Sequence, residues 1–146
     1  MAARENSWEA LAEQLIRQSF EDAGIRLESN EFALSLCRYF TENMESSLSL
    51  GDAAACMQKN RDYYGRLCRR QTGHGYHELA TGARMACAKA LLQKTDDTVE
   101  TISRRLDYST ADYFSRVFKQ HTGRTPGQYR LQARLEASAA AAAREP

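Results

Sequence analysis

The chain has 146 residues, 20 Lys/Arg against 19 Asp/Glu, a formal net charge of +1 and two prolines. So few prolines beside a heavy load of Ala, Leu, Arg, Gln and Glu argue against a turn-rich sandwich or barrel and predict an all-α protein. No stretch approaches the roughly 20 apolar residues of a bilayer span, and the opening MAARENSWEA lacks the apolar centre of a secretory leader; both predict a cytoplasmic chain with no membrane partner.

In chain order, Ser7 is placed to cap a helix whose apolar residues Trp8, Leu11, Leu15, Ile16 and Phe20 fall on one face, with Gly24 as its stop. A second helix is expected from about Asn30 to Met44, with Phe32, Leu36, Tyr39 and Phe40 turned inward. Ser49 and Asp52 resemble a capping box opening a short helix with Leu50, Ala53, Ala54 and Met57. Gln58 and Lys59 form a turn, Asn60 caps a helix to about Gln71, and Gly73 ends it.

The same order then returns. Residues 77–94 read as one helix carrying Met85, Ala88, Leu91 and Leu92, after which Thr98 caps a short helix with Val99, Ile102, Ser103 and Leu106. Asp107 and Tyr108 make the turn, Ser109 is the expected cap of the next helix, and Gly123 ends it. The copies are offset by 49 residues in the leading helices (Leu50 to Val99) and by 50 in the following ones (Arg66 to Arg116), which places one added residue at the start of the last helix. Two short helices, a tight turn, and small residues (Ala54, Ser103) where the helices approach are the requirements of a helix-turn-helix. Thr125 caps a closing helix with Pro126 in its first turn and Tyr129 inward; residues 133–146 are an alanine-rich tail free to be helical or frayed.

Charge follows the repeat. Residues 1–56 hold four Lys/Arg and ten Asp/Glu, a net −6, whereas residues 57–130 hold fourteen and seven, a net +7. The basic segment is the one that contains both copies, the footprint of a phosphate-binding surface. Cys37, Cys56, Cys68 and Cys87 lie 19, 12 and 19 residues apart with no C-x-x-C pair, so they read as small core residues and not as a zinc site. His74 and His77 flank Gly75 and read as a solvated pair, leaving no metal site and no cofactor expected. No base stands at a useful spacing from any cysteine and no glycine-rich phosphate loop is present, so no catalytic residue is assigned and the chain is not read as an enzyme.

On the first of the two basic helices, about residues 60–71, Arg61, Asp62, Gly65, Arg66 and Arg69 share one side, opposite Tyr64, Leu67 and Cys68. On the second, about 110–121, Ala111, Asp112, Ser115, Arg116 and Lys119 stand largely opposite Tyr113, Phe114, Val117 and Phe118. Arg66 and Arg116 have the reach for bidentate guanine contacts, Arg69, Arg70 and Lys119 suit phosphates, and Asp62 and Asp112 can accept from a cytosine amino group. One such helix alone is better read as a solvated amphipathic helix; its duplication with turn, glycine and basic bias shifts the reading toward DNA.

The run Tyr113, Phe114, Ser115, Arg116, Val117, Phe118, Lys119, then Thr122-Gly123, Thr125-Pro126 and Gln128-Tyr129-Arg130, resembles the C-terminal signature of the AraC/XylS family of bacterial transcription regulators. The likeness extends through RMACAKALL (84–92) and LSLGDAAACM (48–57), about residues 30–132 in all. It implies a seven-helix DNA-binding domain: a first helix-turn-helix unit at about 30–76, a linker helix at 77–94 and a second unit at 95–132, entering successive major-groove segments of bent double-stranded DNA. It also implies an activator that contacts RNA polymerase in the bacterial cytoplasm, at the nucleoid. Carried over by position, the base-contacting sites are Arg61, Asp62, Gly65 and Arg66, then Ala111, Asp112, Ser115 and Arg116. Gln58 and Asp107 stand where the family has a turn glycine, Gly65 offers no side chain to a base, and Cys68 replaces a phenylalanine.

Residues 1–29 lie outside the likeness and are too few for a ligand-binding domain, so the chain is a minimal stand-alone regulator or a piece of a longer one. The face of Trp8, Leu11, Leu15 and Phe20 packs back on the domain as an extra helix, or docks a protein partner or a second copy. The competing functional reading is built on that second option: a helical interaction module or anti-activator that binds a regulatory partner through its N-terminal helix.

Overall fold

The computed structural model describes residues 7–144; the first six residues of the N-terminal extension and the last two of the tail lie outside the described residues. Among those described there are eight α-helices, one 3-10 turn (Leu27–Ser29) and no strand. The helices are α1 (Trp8–Asp22), α2 (Glu31–Glu42), α3 (Leu50–Cys56), α4 (Arg61–Thr72), α5 (Tyr76–Lys94), α6 (Val99–Arg105), α7 (Ala111–Thr122) and α8 (Pro126–Arg144). None of these is long and apolar enough to cross a membrane.

Local chemistry sets most boundaries. The Asn30 side chain accepts from the Ala33 amide at 3.0 Å, Ser49 from Asp52 at 3.1 Å, Asn60 from Asp62 and Tyr63 at 2.9 and 3.2 Å, and Thr98 from Thr101 at 3.1 Å. Each satisfies first-turn amides that have no intrahelical acceptor. Thr125 and Gln128 form a reciprocal capping box, Thr125 accepting from the Gln128 amide at 3.2 Å and Gln128 from the Thr125 amide at 3.0 Å. The cap of α7 is Thr110, not Ser109, because the open amide belongs to Tyr113, three residues beyond Thr110, and lies 3.0 Å from its hydroxyl. The added residue of the second copy therefore sits in the turn, with residues 106–110 between α6 and α7 against 57–60 between α3 and α4.

The linker helix α5 is the spine of the core. Leu79, Ala83, Met85, Ala86, Ala88, Ala90, Leu91 and Leu92 are all buried, which covers most of its circumference and marks a helix packed on several sides. Along it lies α1, with Ala12, Ile16 and Phe20 fully buried. Trp8 is also buried, and Leu11 and Leu15 pack half-buried on the core. Burial of such side chains is worth about 1.5–3 kcal/mol each. The face offered for partner docking (Trp8, Leu11, Leu15, Phe20) is thus spent on the domain itself, which corrects the docking option in favour of an extra helix.

Each unit has its own aromatic cluster. In the first, the Phe20, Phe40 and Tyr76 rings meet in sequence, tilted, at 6.0 and 5.7 Å, and Tyr64 reaches Phe32 at 5.4 Å. In the second, Tyr108, Phe114, Phe118 and Tyr129 are linked at 5.3, 5.9 and 5.5 Å. Cys68 and Phe118 occupy matching positions and both are fully buried, so the smaller plug is accommodated without opening the core to solvent. Ala54 and Ser103 are buried as the close helix approach requires. The closing helix α8 caps the end of α5: Arg130 donates to the Leu92 and Thr95 carbonyls at 3.0 and 3.1 Å, and Arg134 to Thr95 and Asp96 at 3.0 and 2.8 Å. It continues into the alanine tail as far as Arg144, exposing Leu131 and Leu135, since alanine needs no packing partner to remain helical.

Candidate nucleic-acid interface

Both turns that present the basic helices are Schellman motifs. The Gln58 amide donates to Ala55 at 3.0 Å and the Lys59 amide to Ala54 at 2.8 Å; in the second unit Asp107 donates to Arg104 at 3.1 Å and Tyr108 to Ser103 at 2.9 Å. Such a turn needs a left-handed residue at its centre, usually glycine. Gln58 (φ 57°) and Asp107 (φ 65°) take that conformation. The turn geometry is therefore the same in the two units although neither has the glycine.

From these turns α4 and α7 emerge as helices of 12 residues, each ended by a left-handed glycine, Gly73 (φ 79°) and Gly123 (φ 83°). Their exposure patterns match position by position apart from the first residue. Arg61, Asp62, Arg66, Arg69 and Arg70 are exposed on α4, as are Asp112, Arg116 and Lys119 on α7; Gly65, Ala111 and Ser115 are half-buried beside them. Tyr64, Cys68, Phe114 and Phe118 face the core, with Leu67 and Val117 half-buried at its edge. Asp62, Gly65, Arg66 and Arg69 line one shallow groove with Leu50 of α3. Gly65 has a packing reason: a Cβ there would stand 3.1 Å from Leu50 Cδ2.

None of the exposed cations of α4 and α7 is neutralised. The ion pairs among the described residues join His74 to Glu78, Arg105 to Glu45 and Asp97, and Arg134 to Asp96. Their charge is left for an external anion. Counted by residue, α4 carries a net +3 and α7 a net +1.

Sequence reasoning missed two exposed tyrosines. Tyr63 is 42% and Tyr113 50% exposed, at matching positions beside Asp62 and Asp112, so Tyr113 belongs to the outer face and not with Phe114. The signal was present in the paired aromatics Tyr63-Tyr64 and Tyr113-Phe114, since neighbours on a helix point about 100° apart and a helix with a single narrow packed face cannot turn both toward it.

The remaining reactive groups are mostly structural. Cys37, Cys68 and Cys87 are buried as expected, and burial pushes the Cys87 thiol up to about 12, away from nucleophilic chemistry. Cys56 is exposed, contrary to the core reading, because it closes the short α3 on its outer side. His77 is exposed, but His74 is not simply solvated: its Nε2 donates to the Ala23 carbonyl at 2.8 Å and its Nδ1 meets the Glu78 carboxylate. Among the described residues no three His, Cys, Asp or Glu side chains gather in a way that would hold a metal ion.

A helix-turn-helix domain model matches residues 53–132, more than half of the chain. The regulatory protein PocR of Salmonella typhimurium is 32% identical over 95 residues, covering 65% of this chain and 31% of PocR. A transcriptional regulator from Chromobacterium violaceum, described as of the AraC-type DNA-binding-domain proteins, superposes with a TM-score of 0.57 at 27% identity, covering 61% of this chain and 80% of that one. The DNA-binding domain of AdpA, solved with a target DNA, shares the fold with a TM-score of 0.63 at 20% identity, covering 70% and 93%. The chain spans less than half the length of the curated relatives PocR, YtdP and YisR. The duplicated helix-turn-helix, its linker helix and these likenesses together establish that the chain belongs to the AraC-type family of DNA-binding transcription regulators.

Proposed function

We propose that the protein reads two successive major-groove segments of double-stranded DNA, one with α4 and one with α7, and activates transcription there through RNA polymerase. The observation that carries the two-segment reading is the match between α4 and α7: a side-chain N-cap on each (Asn60, Thr110), same left-handed turn, same exposed face, and cations left without an internal partner. The solved complex of the AdpA domain with its target DNA supports the choice of ligand. Arg66 and Arg116, at the same register, take the bidentate guanine role, and Asp62 and Asp112 accept from cytosine amino groups. Arg61, Ser115 and the backbone-near surfaces of Gly65 and Ala111 complete the base-facing edge, while Arg69, Arg70 and Lys119 hold phosphates. With a net +3 against +1 on α7 and a glycine at position 65, helix α4 contributes more charge than discrimination; Ser115, a donor and an acceptor, gives α7 more to read with.

The test is selection of bound sites from a random duplex pool, followed by affinity measured across a salt series. Specific binding should weaken steeply with salt, and Arg66→Ala or Arg116→Ala should each cost about 1–3 kcal/mol and relax base preference in one segment alone. Weak binding that neither substitution changes would overturn the reading. Transcription in a purified system, with and without the selected site upstream of a promoter, decides between activation and repression.

A further inference from the structure

The N-terminal helix α1 lies outside the matched domain segment, and its two ends are fastened to different units. At its C-terminal end the Ala23 carbonyl accepts from His74, which lies in the loop that follows α4 of the first unit. At its N-terminal end the Trp8 ring lies 4.9 Å from the guanidinium carbon of Arg105, the last residue of α6 in the second unit. Between these points α1 runs about 22 Å along α5, the helix that joins the units covalently.

Arg105 is the meeting point. Its Nε donates to Glu45 Oε1 at 2.7 Å, in the loop between α2 and α3 of the first unit, and its Nη1 to Asp97 Oδ2 at 2.6 Å, in the loop that leads from α5 into α6. Among the ion pairs of the described residues, Arg105 with Glu45 is the one that crosses from one unit to the other. The Arg105 side chain is 28% exposed and Asp97 32%, so their bond lies in a part-buried site, while Glu45 at 49% leaves the inter-unit bond partly open to solvent screening. A single guanidinium thus ties together the first unit, the second unit, the end of the linker helix and the N-terminal helix.

We propose that α1 and Arg105 form a brace that locks the separation and twist of the two reading helices, and so makes the protein selective for the number of base pairs between its two DNA segments. Arg105 is a positioning residue in this device, acting through the placement of α6 and α7. The inference rests on the two-segment reading above. One inserted base pair moves the second segment by about 3.4 Å and turns it by about 35° around the helix axis. A protein hinged at one linker helix follows such a change by bending; a braced one loses its second set of contacts.

Sites selected by the full chain are compared with those selected by Arg105→Ala and by Glu45→Gln, which removes the inter-unit ion pair while leaving Trp8 and its contact in place. Each selected site is then resynthesised with one base pair added or removed between its two segments. The wild type should keep one spacing and bind the altered sites about tenfold more weakly or worse. Both variants should keep the same bases within each segment, accept neighbouring spacings, and shrink that penalty to about threefold or less. A role in stability alone lowers the melting temperature and weakens all spacings alike. That outcome, or an unchanged spacing preference in folded variants, overturns the brace; if Arg105→Ala does not fold, Glu45→Gln decides by the same criteria. Failure of the wild type to select any paired segments overturns the two-segment reading instead, and the brace with it.

Discussion

Replacing Gln58 by glycine should stabilise the protein without changing what it binds. Gln58 holds φ at 57° at the centre of the α3–α4 turn, where a residue with a Cβ is disfavoured by about 1–2 kcal/mol. Glycine removes that strain but costs about 0.4–1 kcal/mol through the greater freedom of the unfolded chain. The side chain is exposed and makes no hydrogen bond or ion pair that would be lost. The net gain is about 1 kcal/mol, read as a shift of the urea midpoint at constant slope, or of the melting temperature by about 3–4 °C. A series sharpens the test, because asparagine tolerates the left-handed region better than glutamine and a β-branched residue tolerates it worse. The expected order of stability is Gln58→Gly, Gln58→Asn, wild type, Gln58→Val. Asp107→Gly (φ 65°) should gain less, about 0.5 kcal/mol, since aspartate already suits the position. DNA affinity should stay within error throughout, because the turn already has the conformation glycine would give it. A Gln58→Gly protein no more stable than the wild type, with Gln58→Val no less stable, would refute the argument from backbone strain.

Three further outcomes follow from the geometry. Gly65→Ala should be nearly neutral, the helix-propensity gain of about 1 kcal/mol being offset by the 3.1 Å approach to Leu50; in a Leu50→Val background, where the facing residue matches the second unit's Val99, the same change should stabilise by about 0.5–1 kcal/mol, and a double-mutant cycle showing no coupling would dismiss the contact. The hydrogen bond to the Ala23 carbonyl and the meeting with Glu78 raise the His74 pKa above its ordinary 6.5, so the stability from its protonation is complete below about 6.5 and lost as pH rises through the higher folded-state value. Arg69 and partial burial oppose this shift and burial lowers the His121 pKa, so the measurement is the melting temperature of wild type minus that of His74→Gln, which should shrink from acid to alkaline pH and would be flat if the bridge contributes nothing. Tyr63→Phe and Tyr113→Phe should each weaken DNA binding by about 0.5–1.5 kcal/mol while leaving the salt slope unchanged, as expected for a neutral hydroxyl on a phosphate oxygen; equal affinity in both variants would leave the tyrosines as bystanders.

Much of this architecture was legible because its determinants are local. Asn60, Thr98, Gly73 and Gly123 announce helix ends through hydrogen bonds that span a few residues or through a backbone conformation that glycine favours. The recurrence of that punctuation 49 to 50 residues further along marks two like units without reference to any contact between them. Where a boundary was misplaced, two candidates stood side by side: Ser109 and Thr110 are chemically equivalent caps, and only the position of the Tyr113 amide separates them. The tail was left undecided for a related reason, since alanine permits helix without requiring it.

What could not be read depends on contacts between distant residues. The apolar stripe of α1 states that it must be covered but not by what, and its cover is the linker helix about 70 residues further along the chain. Nothing near Arg105 in the sequence distinguishes it from the solvated Arg104 beside it; Glu45 is 60 positions away and Trp8 further still. Yet the cap residues alone would build two helix-turn-helix units free to tilt about one helix. The residues that hold their relative positions are the ones local pattern does not reveal, and on the proposed reading of two segments of one duplex those positions matter as much as the reading helices. Part of the acidic N-terminal half is satisfied internally: Glu45 pairs with Arg105 and Trp8 gives its ring face to the same guanidinium, whereas the exposed cations of α4 and α7 have no such partner among the described residues.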